Sequence, residues 1–240
     1  MTGTRLHRSF APLKRLLPPA VHRPLRAVAT AVVTPVRFAL LSGHFRSSLR
    51  SRALDTDGGP LPWYTYPAID FLRARSFEGR RVLEFGGGQS TLWWSQRAAS
   101  VLTIEEDAAW FAETRARVGD NVSIHHVPIG EPGTTLARVR DLIAASGISR
   151  FDVVVVDGHM RREMTALAFE YLAPGGAIIL DNAEGYGFYE EVRDRACRRV
   201  DFFGFCPGVA LRHCTSLVYV DDCFLLRPEI PIPVIEHVGV

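Results

Sequence analysis

The chain has 240 residues, 47% apolar and 22% charged, which fits one globular domain plus an appendage. That composition excludes a fibrous or wholly disordered chain. The net charge of +2 is unevenly spread: residues 1–54 hold ten basic side chains, from Arg5 to Arg52, and no acid, leaving 18 basic and 26 acidic residues, a net of −8, in the remainder. A basic N-terminal arm therefore precedes a mildly acidic body. Lys14 is the only lysine against 27 arginines, the bias of a GC-rich genome.

In the arm, Arg23, Arg26, Thr30, Thr34 and Arg37 recur on one helical face, with Leu25, Val28, Val32, Val36 and Ala39 opposite. Pro24 suits a first helical turn and Pro35 predicts a kink. The most apolar stretch, Ala27–Val36, is ten residues between two arginines. A bilayer crossing takes roughly 20, so no spanning segment is expected. The long basic lead, Pro35 and the lack of a cleavage site argue against a signal peptide. The arm is expected to pack on the body or on a twin subunit, or to lie on an anionic membrane. Nucleic acid is not expected, because the acidic body opposes phosphate contacts. These features imply a cytoplasmic protein, peripheral to the inner membrane face if the arm docks there. Asp57-Gly-Gly-Pro-Leu-Pro62 reads as the linker, dividing the chain into an arm over 1–59 and a body over 60–240.

From Leu83 onward strands alternate with helices. The predicted strands are Arg81–Phe85, Val101–Glu105, Val122–Val127, Phe151–Asp157 and Ala177–Asp181. Helices are predicted at Ser90–Ala99, Ala108–Val118, Thr134–Ala145, Arg161–Leu172 and Tyr189–Arg199. This order implies an α/β fold, a parallel sheet covered by helices on both faces. Four consecutive valines, Val153–Val156, suit a central strand. Val200–Cys206 and Thr215–Leu226 read as two strands joined by a loop, hence antiparallel. Cys197, Cys206, Cys214 and Cys223 match no metal-ligand spacing and read as reduced thiols of the core.

The chemistry concentrates at strand ends. Val82-Leu-Glu-Phe-Gly-Gly-Gly-Gln-Ser-Thr91 carries an apolar strand through three glycines into a helix. Glycines let a ligand approach the backbone, and the helix start offers free N–H groups that Ser90 and Thr91 can cap. As a dinucleotide fingerprint the run has Gly86 and Gly88, but Thr91 stands in place of the third glycine. Glu105 ends the next strand, where a carboxylate can accept two ribose hydroxyls; a shift of one residue would give that role to Glu106. Asp157 ends the fourth strand, and Asp181 with Asn182 the fifth. In open α/β sheets the ligand crevice lies outside those ends. His159 is a candidate general base or a plain loop histidine. Trp63, Tyr64 and Tyr66 are candidates for an aromatic pocket wall or for a cover over the sheet end. Trp93 and Trp94 are expected in the core.

Over residues 60–226 the chain resembles the class I S-adenosylmethionine-dependent methyltransferases. The resemblance rests on the glycine loop, Glu105 after the second strand, Leu172-Ala-Pro-Gly-Gly176 before the fifth strand and the antiparallel closing pair. It implies a Rossmann-like seven-stranded sheet and S-adenosylmethionine as cofactor. It further implies that Glu84, Gly86, Gly87, Gly88 and Ser90 form the loop that holds the methionine part, that Glu105 holds the ribose, and that Asp157 borders both cofactor and acceptor. His126 to Gly130 is the segment that meets adenine in the family; this sequence lacks the frequent acid there. Asp157 with Asp181 and Asn182 also resembles the metal triad of catechol and caffeoyl-CoA O-methyltransferases, which implies Mg2+. The reaction so implied is methyl transfer to a small molecule, with a hydroxyl oxygen favoured and Asp157, His159 and Asp181 as catalytic candidates. The alternatives are a nicotinamide-dependent oxidoreductase, an aminopropyltransferase, or an inactive module of the same fold that docks to a membrane or a protein.

Overall fold

The computed structural model describes residues 18–231; the basic residues from Arg5 to Arg15 lie outside that range. Two N-terminal helices, α1 (Pro19–Leu41) and α2 (His44–Arg50), lead to α3 (Tyr66–Arg73). Strands and helices then alternate: β1 (Arg81–Phe85), α4 (Gln89–Ser95), β2 (Ser100–Glu105), α5 (Ala108–Arg115), β3 (Val122–His126), α6 (Pro132–Ala145), β4 (Phe151–Val156), α7 (Arg161–Tyr171), β5 (Leu172–Leu180) and α8 (Phe188–Arg193). The chain closes with β6 (Arg198–Phe205), β7 (Arg212–Tyr219) and a 3-10 turn at Phe224–Leu226.

The seven strands form one sheet in the order β3-β2-β1-β4-β5-β7-β6. β1 to β5 are parallel, and β7 is antiparallel to both β5 and β6. This is the Rossmann-like seven-stranded sheet with an antiparallel end that the sequence implies. The four β4 valines are wholly buried and divide between the two faces. Val153 and Val155 pack with Trp93, Trp94, Ile69 and Leu217, while Val154 and Val156 pack with Leu83, Ile143, Leu167 and Phe188. A side-chain period of two, applied to an unbroken apolar run, feeds both cores at once.

Several boundaries differ from expectation, among them the end of the helix predicted at Tyr189–Arg199, which stops at Arg193. β5 begins at Leu172, not Ala177, and so runs through Pro174. Pairing with β4 shifts register between Phe151 and Val153, and β7 reaches only Ile178–Leu180. Pro174 thus sits where no ladder bond is asked of its nitrogen, at a bulge. The last strand stops at Tyr219, and the remaining apolar residues turn back to pack Phe224 and Leu225 into the core.

The arm holds a correction. α1 runs unbroken through Pro24 and Pro35. Its segment Ala20–Leu41 is 22 residues with a mean hydropathy of 1.4 and none of it buried, so by length and composition one helix is able to cross a membrane. Breaking the stretch at Arg26 and Arg37 hid this, because the flanking apolar residues keep an 18-residue average high with two isolated arginines inside it. Residues 43–59, grouped with the arm on sequence, pack on the body. Ser47 and Ala53 are buried, the Gly208 N–H donates to His44 Nδ1 at 3.3 Å, and Arg52 pairs with Glu113 at 2.9 Å. Among the described residues the four cysteines are free, three of them buried.

Candidate active site

The glycine loop is built by close backbone approach. Gly86 has φ +94°, and a Cβ there would lie 2.4 Å from the Gly158 nitrogen. Only glycine lets the tip of β1 cross the tip of β4 at this distance. The crossing is stitched by the Asp157 and Gly158 N–H groups, which both donate to the Phe85 carbonyl at 2.8 Å. Glu84 lies wholly buried beneath it. Its Oε2 accepts from Thr91 Oγ1 at 2.5 Å and Thr103 Oγ1 at 2.9 Å, and its Oε1 has no partner. Thr91 Oγ1 in turn accepts the Gly88 N–H at 3.0 Å. Thr91, the residue that spoils the dinucleotide fingerprint, is therefore the strut between Glu84 and the loop. Burial, the largest influence, pushes Glu84 up to about 7, against the hydroxyl bonds that favour its charge. Ser90 is buried in the same helical turn.

Glu105 and Glu106 diverge. Glu105 ends β2 and turns toward the glycine loop, accepting the Gly87 N–H at 2.5 Å and the Asp107 N–H at 2.7 Å. It is pushed up to about 7, chiefly by burial and then by the neighbouring Glu106 charge. Glu106 faces the tip of β4, where its Oε1 accepts the His159 main-chain N–H at 3.1 Å and meets the His159 ring Nδ1 at 2.5 Å. The His159 side chain, 73% exposed, thus turns toward β2 and away from Asp181 on β5. Glu106 and His159 border an open cleft whose apolar walls are Val127, Ile129, Met160 and Met164. Sequence reasoning brought the segment His126 to Gly130 here, with Glu106 and His159 as candidates, but singled out no residue of that segment. The signal available was Ile129, an apolar side chain in a loop just past a strand end, which is 47% exposed.

On the β5 side Asp157, Asp181 and Asn182 do come together, around Arg161. The Arg161 guanidinium donates to the Asp157 carbonyl at 2.8 Å, the Asp157 carboxylate at 3.3 Å, the Asp181 carbonyl at 2.6 Å and Asn182 Oδ1 at 3.1 Å. Its Nε donates to the Gly158 carbonyl at 2.7 Å, and the Tyr186 ring lies 4.3 Å from its centre. Asp181 Oδ1 accepts from Thr215 Oγ1 at 2.9 Å. Burial raises Asp157 to about 6 in spite of Arg161, and burial plus the Asp157 charge raises Asp181 well above the ordinary carboxyl range. Met160 and Asn182, at the two strand tips, hold left-handed φ values of +48° and +50°. Non-glycine residues carry such strain where the surroundings over-determine it.

This arrangement corrects the metal reading. A divalent ion needs free oxygen donors. Here the carboxylate of Asp157 and the amide oxygen of Asn182 already face a guanidinium, and the inner oxygen of Asp181 faces a hydroxyl. Among the described residues no cluster of three His, Cys, Asp or Glu side chains offers another cation site. The residues do not fit Mg2+, because a built-in cation occupies the centre of the triad.

The aromatic candidates separate. Tyr64 is fully buried, with its hydroxyl 3.3 Å from Trp94 Nε1, and burial together with Glu84 and Asp157 raises it well above its ordinary value. Tyr66 is buried against Phe38. Trp63 remains half-buried, donates to the Pro207 carbonyl at 3.0 Å and stands edge-on to Trp110 at 5.9 Å. Trp110 also lies 3.9 Å from where a Gly88 Cβ would sit. The wall beside the loop is thus Trp63 with Trp110, and Trp110 escapes notice in the sequence because α5 reads as an ordinary surface helix.

No family model matches the chain, and no curated protein matches it by sequence. Solved structures do match. Cofactor-bound Rv0187 from MTB aligns with a TM-score of 0.53 and 20% identity, over 79% of this chain and 96% of that one. The O-methyltransferase TomG from Streptomyces achromogenes, in complex with SAM, aligns at 0.50 and 20% identity, over 75% of this chain and 87% of its own. Sheet order, glycine loop and these alignments agree: the chain has the fold of the class I S-adenosylmethionine-dependent methyltransferases.

Proposed function

We propose that the protein transfers a methyl group from S-adenosylmethionine to a small-molecule acceptor, with a hydroxyl oxygen as the receiving atom. The observation that carries this reading is the charge of the crevice. Four carboxyl groups, Glu84, Glu105, Asp157 and Asp181, gather at the tips of β1, β2, β4 and β5, and Arg161 donates to one of them, the Asp157 carboxylate. All four are raised, chiefly by burial. An excess of desolvated acid favours a cationic ligand such as a sulfonium with its ammonium group. It opposes the pyrophosphate of a nicotinamide dinucleotide, which needs free loop N–H groups. The Gly87 N–H is already held by Glu105. The β7 strand between β5 and β6 likewise departs from the 3-2-1-4-5-6 order of dinucleotide folds.

In this reading Gly86 to Gly88 approach the methionine part, Glu105 turns from the loop to the ribose hydroxyls, and Val127, Ile129 and Met160 flank the adenine. The sulfonium is an activated donor, so the protein aligns and desolvates more than it activates. The S–CH3 bond breaks as the O–CH3 bond forms, and the bonding pair stays on sulfur. The hydroxyl proton passes to the Asp157–Asp181 pair, whose raised affinity suits a general base. Titration calorimetry with S-adenosylmethionine, its demethylated product and NAD tests the assignment. Micromolar binding of the first two alone supports it; NAD binding, or none, overturns it. Glu105→Ala should weaken cofactor binding at least about tenfold, the cost of two lost charge-assisted hydrogen bonds.

A further inference from the structure

α1 is covered on hardly any side. Val21, Leu25, Val28, Val32 and Val36 are 47–62% exposed. At 100° per residue they form one stripe, while Arg23, Arg26, Thr30, Thr34 and Arg37 form the opposite one. Among the described residues, only the C-terminal end of the helix is seated: Phe38 packs edge-on to Tyr66 at 5.2 Å and near Phe205 at 6.2 Å. Phe45 and Leu49 of α2 are exposed as well, 54% and 70%. We propose that α1 is a docking helix for an anionic lipid bilayer, lying in the plane of the interface with its valine stripe among the acyl chains.

Two arguments select this occupant. The first is charge. Residues 1–54 hold ten cations and no acid. A second copy of the chain seated on the stripe would bring two such arms together, whereas an anionic leaflet neutralises them. The second is geometry. The 22 residues of Ala20–Leu41 would span about 33 Å, enough to cross the hydrocarbon core. Arg26 and Arg37, however, are about 16 Å apart along the axis, so a crossing helix would place at least one of them inside the roughly 30 Å core. An in-plane helix keeps all three arginines with the headgroups and still buries the whole stripe. The body is then held at the membrane by α1's seated end. Tyr66, the residue that Phe38 touches, follows Thr65, whose N–H donates to Thr215 Oγ1, and Thr215 in turn donates to Asp181.

Flotation of the full chain with phosphatidylcholine vesicles, with and without about one-third phosphatidylglycerol, tests the proposal. Binding is expected only to the anionic vesicles, falling as salt rises, and reversible in alkaline carbonate. Arg23→Glu with Arg26→Glu should weaken it by about fivefold or more per arginine. Val28→Glu with Val32→Glu should weaken it at least about tenfold per site. Unchanged melting temperature in both variants shows the fold intact. Equal binding to neutral vesicles, resistance to carbonate, no binding, or a concentration-dependent dimer that Val28→Glu dissociates without any vesicle binding would each overturn it.

Discussion

Substituting Gly86 by alanine tests the backbone crossing at the centre of the site. Two costs combine there. A non-glycine residue at φ +94° is strained by about 1–2 kcal/mol. Its Cβ would also meet Gly158 N at 2.4 Å, Gly158 Cα at 2.7 Å and Asp157 C at 2.8 Å, all backbone atoms that cannot rotate aside. Forcing them apart costs a further 1–3 kcal/mol or so, the scale of overpacking a tight interior. The sum, about 2–5 kcal/mol, lowers the melting temperature by roughly 6–15 °C in a domain of this size. Gly79 is the control. Its φ is +72°, but a Cβ there has nothing within 4 Å. Gly79→Ala should therefore cost only the conformational share, about 1–2 kcal/mol, and leave cofactor affinity alone. Scanning calorimetry gives the stabilities, and calorimetric titration with S-adenosylmethionine gives the affinity. If Gly86→Ala melted no lower than Gly79→Ala and bound cofactor normally, the close approach of β1 and β4 would not be what shapes this loop.

Other consequences are measurable. Glu84 and Glu105 titrate near 7 in the fold against an ordinary 4.5, and Asp157 near 6 against 3.8. The folded chain thus holds more protons than the unfolded one across that window. This contribution to stability is complete below about pH 4 and is lost as the pH rises through 6 to 7. The melting temperature of the ligand-free protein should therefore fall between pH 5 and 8, and fall less in Glu84→Gln; a flat or rising profile refutes the assignment. Strong chelation should leave turnover intact. Arg161→Ala should lower the melting temperature by several degrees and impair turnover, because the tips of β4 and β5 lose five donated hydrogen bonds. Turnover abolished by a chelator in the unaltered protein would show that the guanidinium is not the resident cation.

What was legible in the sequence followed from periodicity and from glycine. β1 is placed to the residue by an apolar run ending in Gly86-Gly-Gly88, and α7 is placed to within one residue. The order of acids at strand ends also reads correctly, because a parallel sheet puts every C-terminal tip on one rim. What failed was direction. Adjacent Glu105 and Glu106 differ by one step of the pleat, and only coordinates show that one turns to the glycine loop and the other to His159. Arg161 was overlooked because an arginine at the start of a helix looks like a solvated charge. Its acceptors are mostly main-chain carbonyls, which carry no sequence signature.

Arg161 also explains why so much acid can be buried in one place. Desolvated carboxyls need a partner or a proton. Two routes are used here. Asp157 and Asn182 share the guanidinium, while Glu84 and Glu105 lean on hydroxyls and main-chain N–H groups and rise toward neutral pH. A fixed internal cation costs no ion binding and leaves no open coordination position, so it can anchor two strand tips but cannot polarise a substrate oxygen as a Lewis acid does. Under the proposed methyl transfer to a hydroxyl, the proton acceptor is then a side chain. Asp157 and Asp181 stand where the tips of β4 and β5 meet, which is why the proposed methyl transfer gives the hydroxyl proton to that pair.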